Sequence, residues 1–392
     1  MTTNEEHITH APGLKTQESR PKTPLRVLIS GGGTGGHVFP ALAIAFAVKR
    51  RMPEAEVEFV GALGRIEMEK VPEHGYKIHG LWISGIQRRQ LWKNATLPFK
   101  ILSSLNKVGR ILKDFKPDVA IGVGGYASGP LLRAAARKGI PTLIQEQNSF
   151  PGVTNKLLAK RAKKICVAYP GMEKFFDAGK LVLTGNPVRL FETLTHAQKK
   201  EAYEYFGLSA EKQTILVTGG SGGAGTINRS LLKDLEKIGS SDAQMIWQTG
   251  KHYFHGIVEQ TASSRLDNIR IMAFVDRMDY AYGIADVVVS RAGAMSISEL
   301  ELLQKPVILV PSPNVAEDHQ TKNARSLTEA HAAIMVRDVE AGEKLVDTML
   351  GLLTDKPLQE TLARNISSFA KPDAADRIVD EILGIIKSEK RA

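Results

Sequence analysis

The pattern that most constrains this chain is one it contains twice: a short apolar strand that runs straight into glycine and then into a helix. The first copy is "LRVLISGGGTGGHVFPALAIAFAVKR" and the second is "TILVTGGSGGAGTINRSLLKDLEKI". A strand followed at once by a covering helix returns to its sheet through a right-handed crossover, which makes the strands parallel. Further apolar runs continue each half: "VEFV", "DVAIG", "TLIQ", "KICVA" and "LVLTG" in the first, then "AQMIWQT", "IRIMAF", "DVVVS", "PVILVP" and "AAIMV" in the second. Near-continuous apolar runs of this length suit strands buried on both faces. A chain of 392 residues also exceeds what one core organises. The expectation is an α/β protein of two Rossmann-like parallel-sheet domains facing each other across a cleft. The boundary falls near Pro187, giving a disordered polar tail over 1–24, a first domain over 25–186, a second over 187–372, and a terminal helix over 373–392 that packs back on the first domain.

Composition narrows the partners. The single cysteine, Cys166, excludes an internal disulfide framework and reads as a small buried apolar residue. No apolar stretch approaches the roughly 20 residues that span a bilayer, and Met1 to Thr23 lacks the apolar core of a secretory signal. The formal net charge of +10 favours an anionic partner: nucleic acid, nucleotide, phospholipid or pyrophosphate.

Glycine lets backbone N–H groups approach a phosphate, and a helix N-terminus adds partial positive charge. Gly31, Gly33 and Gly36 carry the G-x-G-x-x-G spacing, as do Gly220, Gly222 and Gly225. The same spacing also serves tight turns for steric reasons alone. A dinucleotide fold adds an acid at the end of its second strand, and "EVEFVGALG" has none there; no P-loop lysine pattern occurs. A third glycine turn, "GVGGYASGP" (Gly122 to Pro130), follows another strand and should line the same crevice.

His37 falls at the start of the helix after the first turn, where the dipole favours neutral imidazole. Two roles fit: a general base, or a ring that only hydrogen-bonds the loop. "QEQNSFPGVTNK" gathers Gln145, Glu146, Gln147, Asn148 and Asn155, suited to a sugar's hydroxyls and amide or to an ordinary polar loop. Glu299 in "DVVVSRAGAMSISEL" is placed to hold a ribose diol or to be a solvated helix-face carboxylate; His319, Gln320 and Asn323 open the next helix, with Gln320 and Asn323 on one face. There is no D-x-D pair and no Cys/His ligand spacing, so no catalytic metal or other cofactor is indicated.

The segment Ile83 to Pro117 mixes Arg88, Arg89, Lys93, Lys100, Lys107, Arg110, Lys113 and Lys116 with Ile86, Leu91, Trp92, Leu97, Phe99, Ile101 and Leu102. Cations interleaved with apolar residues suit an anionic membrane interface. The stretch Val108 to Phe115 reads as core instead. No stacking platform or known helix motif supports nucleic acid.

Together, "GGGTGGHVFPALAIA", "GVGGYASGP", "QEQNSFPGVTNK", "GNPVR", "GGSGGAGTIN" and "DVVVSRAGAMSISEL", in this order over about Leu25 to Ala332, resemble the MurG family of GT-B glycosyltransferases. The resemblance implies inverting transfer of GlcNAc from UDP-GlcNAc to the C4 hydroxyl of MurNAc in undecaprenyl-pyrophosphoryl-MurNAc-pentapeptide, lipid I. The product would be lipid II for peptidoglycan. It implies a peripheral enzyme at the cytoplasmic face of the cell membrane, with other cell-wall synthesis proteins as further candidate partners. On the acceptor side it assigns Thr34, Gly35, Gly36, His37, Tyr126 and Asn148. On the donor side Glu299 would hold the ribose, Phe274 and Val275 would flank the uracil, and Ser221 and Arg189 would contact the diphosphate. Gln320 would reach the GlcNAc hydroxyls beside His319, which stands where some members carry a glutamine. The reaction needs a base for the attacking hydroxyl: His37 first, Glu146 as runner-up. Rival readings are a transferase acting on another lipid acceptor, a dinucleotide-dependent oxidoreductase, and a binding module without turnover.

Overall fold

A computed structural model describes residues 24–85, 95–188, 192–220, 222–264, 266–313, 315 and 318–389. Seven strands form the first sheet: β1 (Arg26–Ser30), β2 (Glu56–Ala62), β3 (Lys77–Leu81), β4 (Val119–Gly122), β5 (Thr142–Glu146), β6 (Lys164–Val167) and β7 (Leu181–Leu183). All pair in parallel, in the order β3-β2-β1-β4-β5-β6-β7. Six form the second: β8 (Thr214–Thr218), β9 (Gln244–Gln248), β10 (Ile269–Met272), β11 (Val287–Ser290), β12 (Val307–Leu309) and β13 (Ile334–Met335). These too are parallel, in the order β10-β9-β8-β11-β12-β13. Every residue of β5, β8 and β9 is buried, as strands covered on both faces must be. Apolar clusters lie on either face of each sheet.

One strand escapes the apolar-run criterion. β3, "KIHGL", is an edge strand whose Lys77 and His79 both reach Glu58 on β2, at 2.9 and 2.6 Å. Its polar alternation hides it from a search for buried runs.

The order of each sheet reverses once, between β1 and β4 and between β8 and β11. At such a switch point the turns leaving adjacent strands part to opposite faces and open a crevice. Both glycine turns stand there.

The chain crosses between domains twice. After β7 it passes through residues 184–188 to the helix His196–Phe206, whose Ala202 and Phe206 lie in the second domain's core. It returns after the helix Lys356–Ser367. The helix Ala374–Glu389 then lies against the helix Gly35–Arg51 and places Ile378, Val379, Ile382 and Ile385 among Val27, Ile29 and Val48. Arg50 and Arg51 bond Asp376 and Asp380 across this contact at 2.6 Å. Exposed pairs of this kind contribute about 0–1 kcal/mol. Fully burying an aliphatic side chain contributes about 1.5–3 kcal/mol, so the apolar stripe holds the helix.

Candidate active site at the domain seam

The turn after β1 and the turn after β4 are built as one unit. Val123 N–H donates to the Ser30 carbonyl at 2.7 Å, and the Ser128 hydroxyl bonds the carbonyls of Ser30 and Gly124 at 3.0 and 2.8 Å. Gly124 and Gly125 sit at φ of 102° and 84°. A Cβ on Gly124 would stand 2.7 Å from His37 Cε1, and one on Gly125 would run into the Gly32 carbonyl. Only glycine meets both demands.

Beneath the first turn lies Glu67, fully buried, which no sequence signal singled out. It accepts from Gly33 N–H at 2.8 Å and Ala62 N–H at 2.9 Å, tying the turn to the end of β2. The Gly33 amide therefore points inward and is not part of a phosphate cradle. The amides of Gly35 and Gly36, in the first turn of their helix, lack intrahelical acceptors, and Thr34 and Gly36 are exposed.

His37 is half-buried, and its Nδ1 lies 2.9 Å from Gln147 Oε1. Burial holds the imidazole below its ordinary pKa of 6.5, with the Glu146 charge and the Gln147 hydrogen bond offsetting part of that effect. Burial thus favours the uncharged ring.

Glu146 is 2 % exposed and its carboxylate is fully engaged. Oε1 accepts from the backbone and side-chain N–H of Asn148 at 3.1 and 3.3 Å; Oε2 accepts from Gly152 N–H at 3.0 Å and the Asn155 amide at 2.8 Å. With two donors on each of its buried oxygens, this carboxylate is closed to substrate. The geometry thus argues against Glu146 as the runner-up base: it holds the loop that carries Asn148. Tyr126, 42 % exposed, stands beside Gly33 and Gly85 at the mouth.

In the second domain, Gln248 is the unforeseen organiser. Its amide donates to Thr218 Oγ1 and the Gly220 carbonyl, both at 3.1 Å, while its Oε1 accepts from Val275 N–H at 2.9 Å. One side chain thus spaces the glycine turn from the turn carrying Phe274. Phe274 is 40 % exposed and available to a flat ring, whereas Val275 is 1 % exposed within the core. Val275 therefore turns its backbone rather than its side chain toward the glycine turn. Glu299 is half-buried on the helix Ala294–Leu303 and accepts from the Tyr282 hydroxyl at 3.2 Å. Gln320, half-buried in the first turn of the helix His319–Glu329, accepts from Ser312 N–H at 2.8 Å; His319 precedes it. Arg189 and Ser221 lie outside the described residues.

The two halves meet. Ser149 donates to Asn323 Oδ1 at 3.0 Å, Asn186 donates to Ser298 Oγ at 3.0 Å, and the Lys322 ammonium stands 4.5 Å from the Phe150 ring centroid. Asn323 is fully buried and works across the seam, so it and Gln320 do different jobs despite their shared face.

Two parallel-sheet domains joined by a double crossing, with a glycine turn at each switch point, define the GT-B class of glycosyltransferase. Residues 27–167 match the glycosyltransferase family 28 N-terminal domain and residues 214–378 its C-terminal domain. A relative from Parabacteroides distasonis is 56% identical over 92% of this chain and 98% of its own length; it is named UDP-N-acetylglucosamine--N-acetylmuramyl-(pentapeptide) pyrophosphoryl-undecaprenol N-acetylglucosamine transferase. The crystal structure of MurG from Acinetobacter baumannii superposes with a TM-score of 0.73 at 28% identity, covering 92% of this chain and all of that one. A UDP-GlcNAc 2-epimerase from Neisseria meningitidis, at 15% identity and a TM-score of 0.67 over 92% of this chain and 100% of that one, shares the fold alone. The chain belongs to the MurG family within glycosyltransferase family 28.

Proposed function

We infer that the chain is an N-acetylglucosaminyltransferase that moves GlcNAc from UDP-GlcNAc to lipid I, giving lipid II for peptidoglycan. The relatives' name supports this substrate pair. The observation that carries the chemistry is His37, half-buried between two glycine turns at the seam with its Nδ1 on Gln147. The C4 hydroxyl of MurNAc attacks the anomeric carbon, its proton passes to the imidazole, and the bond from that carbon to the diphosphate oxygen breaks as UDP leaves. A single displacement turns the α-linked donor into a β-linked product. Glu299 would hold the ribose, Phe274 the uracil face, and the amides of the second glycine turn with Arg189 and Ser221 the departing diphosphate. The amides of Gly35 and Gly36 with Thr34, Tyr126 and Asn148 would take the acceptor, and Gln320 beside His319 the GlcNAc hydroxyls.

A lipid-linked acceptor requires a membrane surface. Among the described residues no helix is long and apolar enough to cross one. Trp82, Phe99, Ile101 and Leu102 are 50%, 69%, 41% and 60% exposed, beside Lys100 and Lys107, and this face supports peripheral docking on anionic lipid at the cytoplasmic side. On the same helix, Leu97–Phe115, the residues Val108, Ile111 and Leu112 are buried and belong to the core.

The test is incubation with labelled UDP-GlcNAc and a lipid I analogue. UDP release that depends on the acceptor supports the reading; release at the same rate without it would refute transfer. His37→Ala should lose most turnover while UDP-GlcNAc binding survives, and near wild-type turnover would remove His37 as the base.

A further inference from the structure

Gln147 has no role in the reading above, yet it is the side chain His37 touches. It is 2 % exposed. Its amide nitrogen donates to the Val123 carbonyl at 2.7 Å and the Gln145 carbonyl at 3.2 Å, and also faces Gln145 Oε1. With acceptors around the nitrogen, the amide cannot be turned over without setting its oxygen against other oxygens. Oε1 must therefore be the atom 2.9 Å from His37 Nδ1. A carbonyl oxygen only accepts, so Nδ1 carries the hydrogen and the lone pair of the neutral ring sits on Nε2.

The chain of amides continues. Gln145 Nε2 donates to Asn186 Oδ1 at 3.1 Å, and Asn186 Nδ2 donates to the Gln147 carbonyl at 3.1 Å and to Ser298 Oγ at 3.0 Å. Asn186 lies in the first crossing between domains, and Ser298 directly precedes Glu299. The imidazole is thus anchored, through side chains at most 8 % exposed, to the helix of the other domain that carries the carboxylate assigned to the ribose.

We propose that Gln147 is the positioning residue of the base: held by Val123, Gln145 and Asn186, it fixes His37 as the Nδ1–H tautomer with Nε2 presented to the acceptor hydroxyl. The proposal rests on the reading of His37 as the base. An amide suits this role better than a carboxylate, because it orients the ring without charging it, leaving a base able to take a proton near neutral pH.

Two readouts test it. Nitrogen-15 NMR of imidazole-labelled full-length protein, without substrate, should show His37 protonated at Nδ1 in the wild type and a mixed tautomer in Gln147→Met. A wild-type ring protonated at Nε2 overturns the proposal whether or not the enzyme transfers GlcNAc. The second readout is the pH profile of transfer. Gln147→Glu keeps the shape and puts a carboxylate on Nδ1, which should move the acid limb up by about one pH unit or more. Gln147→Met should lower kcat at least tenfold with the KM for UDP-GlcNAc changed less than threefold. If Gln147→Glu lowers the rate evenly with the acid limb unmoved, Gln147 is structural only and the proposal falls. If the NMR result stands but His37→Ala retains turnover, the reading of His37 as base fails instead.

Discussion

Glu301 sits where the two domains are laced together. It is 8 % exposed and borders a cavity of about 250 Å³ at the two chain crossings, shared with Tyr169, Asn186, Ser298 and Lys371. Burial pushes its carboxyl up to about 8, with Lys371 pulling only partly the other way; Tyr169, whose buried hydroxyl has no partner, is raised as well. The unfolded carboxyl titrates near 4.5. Between these values the folded chain holds a proton that the unfolded chain releases, so stability falls as pH rises through that window. Glu301→Gln should therefore raise the melting temperature at about pH 8.5 and leave it nearly unchanged at about pH 4.5. Equal shifts at both would dismiss the account. Residues differ in what their neighbourhood in sequence reveals. His37 was legible because its glycine turn and helix start are contiguous with it. The case against Glu146 was not, because Gly152 and Asn155, which saturate its second oxygen, are reached only once the loop folds back. Glu67 and Gln248 act on turns 34 and 27 residues away, beyond any local pattern.

At the scale of elements, the terminal helix belongs to the first domain's core. Ile382 is fully buried in it. Ile382→Ala should cost about 2–5 kcal/mol, read as a lower urea midpoint for a probe in the first domain. A change within a few tenths of that unit would mean the helix merely rests on the surface. Central strands were readable because burial on both faces leaves an unbroken apolar run. β3 was not, because an edge strand keeps one flank wet and fills it with Lys77 and His79, answered by Glu58 from its neighbour.

For the whole molecule, the charge of +10 and the apolar tip of one helix act over different ranges. Screening shortens the reach of surface charge to about 8 Å at physiological salt, while apolar insertion is little affected. Phe99→Ser with Leu102→Ser should cut sedimentation with vesicles containing phosphatidylglycerol at least fivefold, and more at high salt than at low. Binding equal to wild type under both conditions would remove this surface from membrane contact. The two-domain plan was legible because the strand–glycine–helix unit occurs twice in sequence. The packing of the domains was not, since it depends on pairs such as Ser149 with Asn323 and Asn186 with Ser298, which lie 174 and 112 residues apart.

The returning helix also sets an order of events during synthesis. Val27, Ile29 and Val48 leave the ribosome well before Ile378, Val379, Ile382 and Ile385, which complete their core. Domains ordinarily fold in turn as they emerge. Here the second domain has every residue it needs before the first does. The first half has its seven strands by then, but part of one apolar flank stays uncovered until the second domain has been translated.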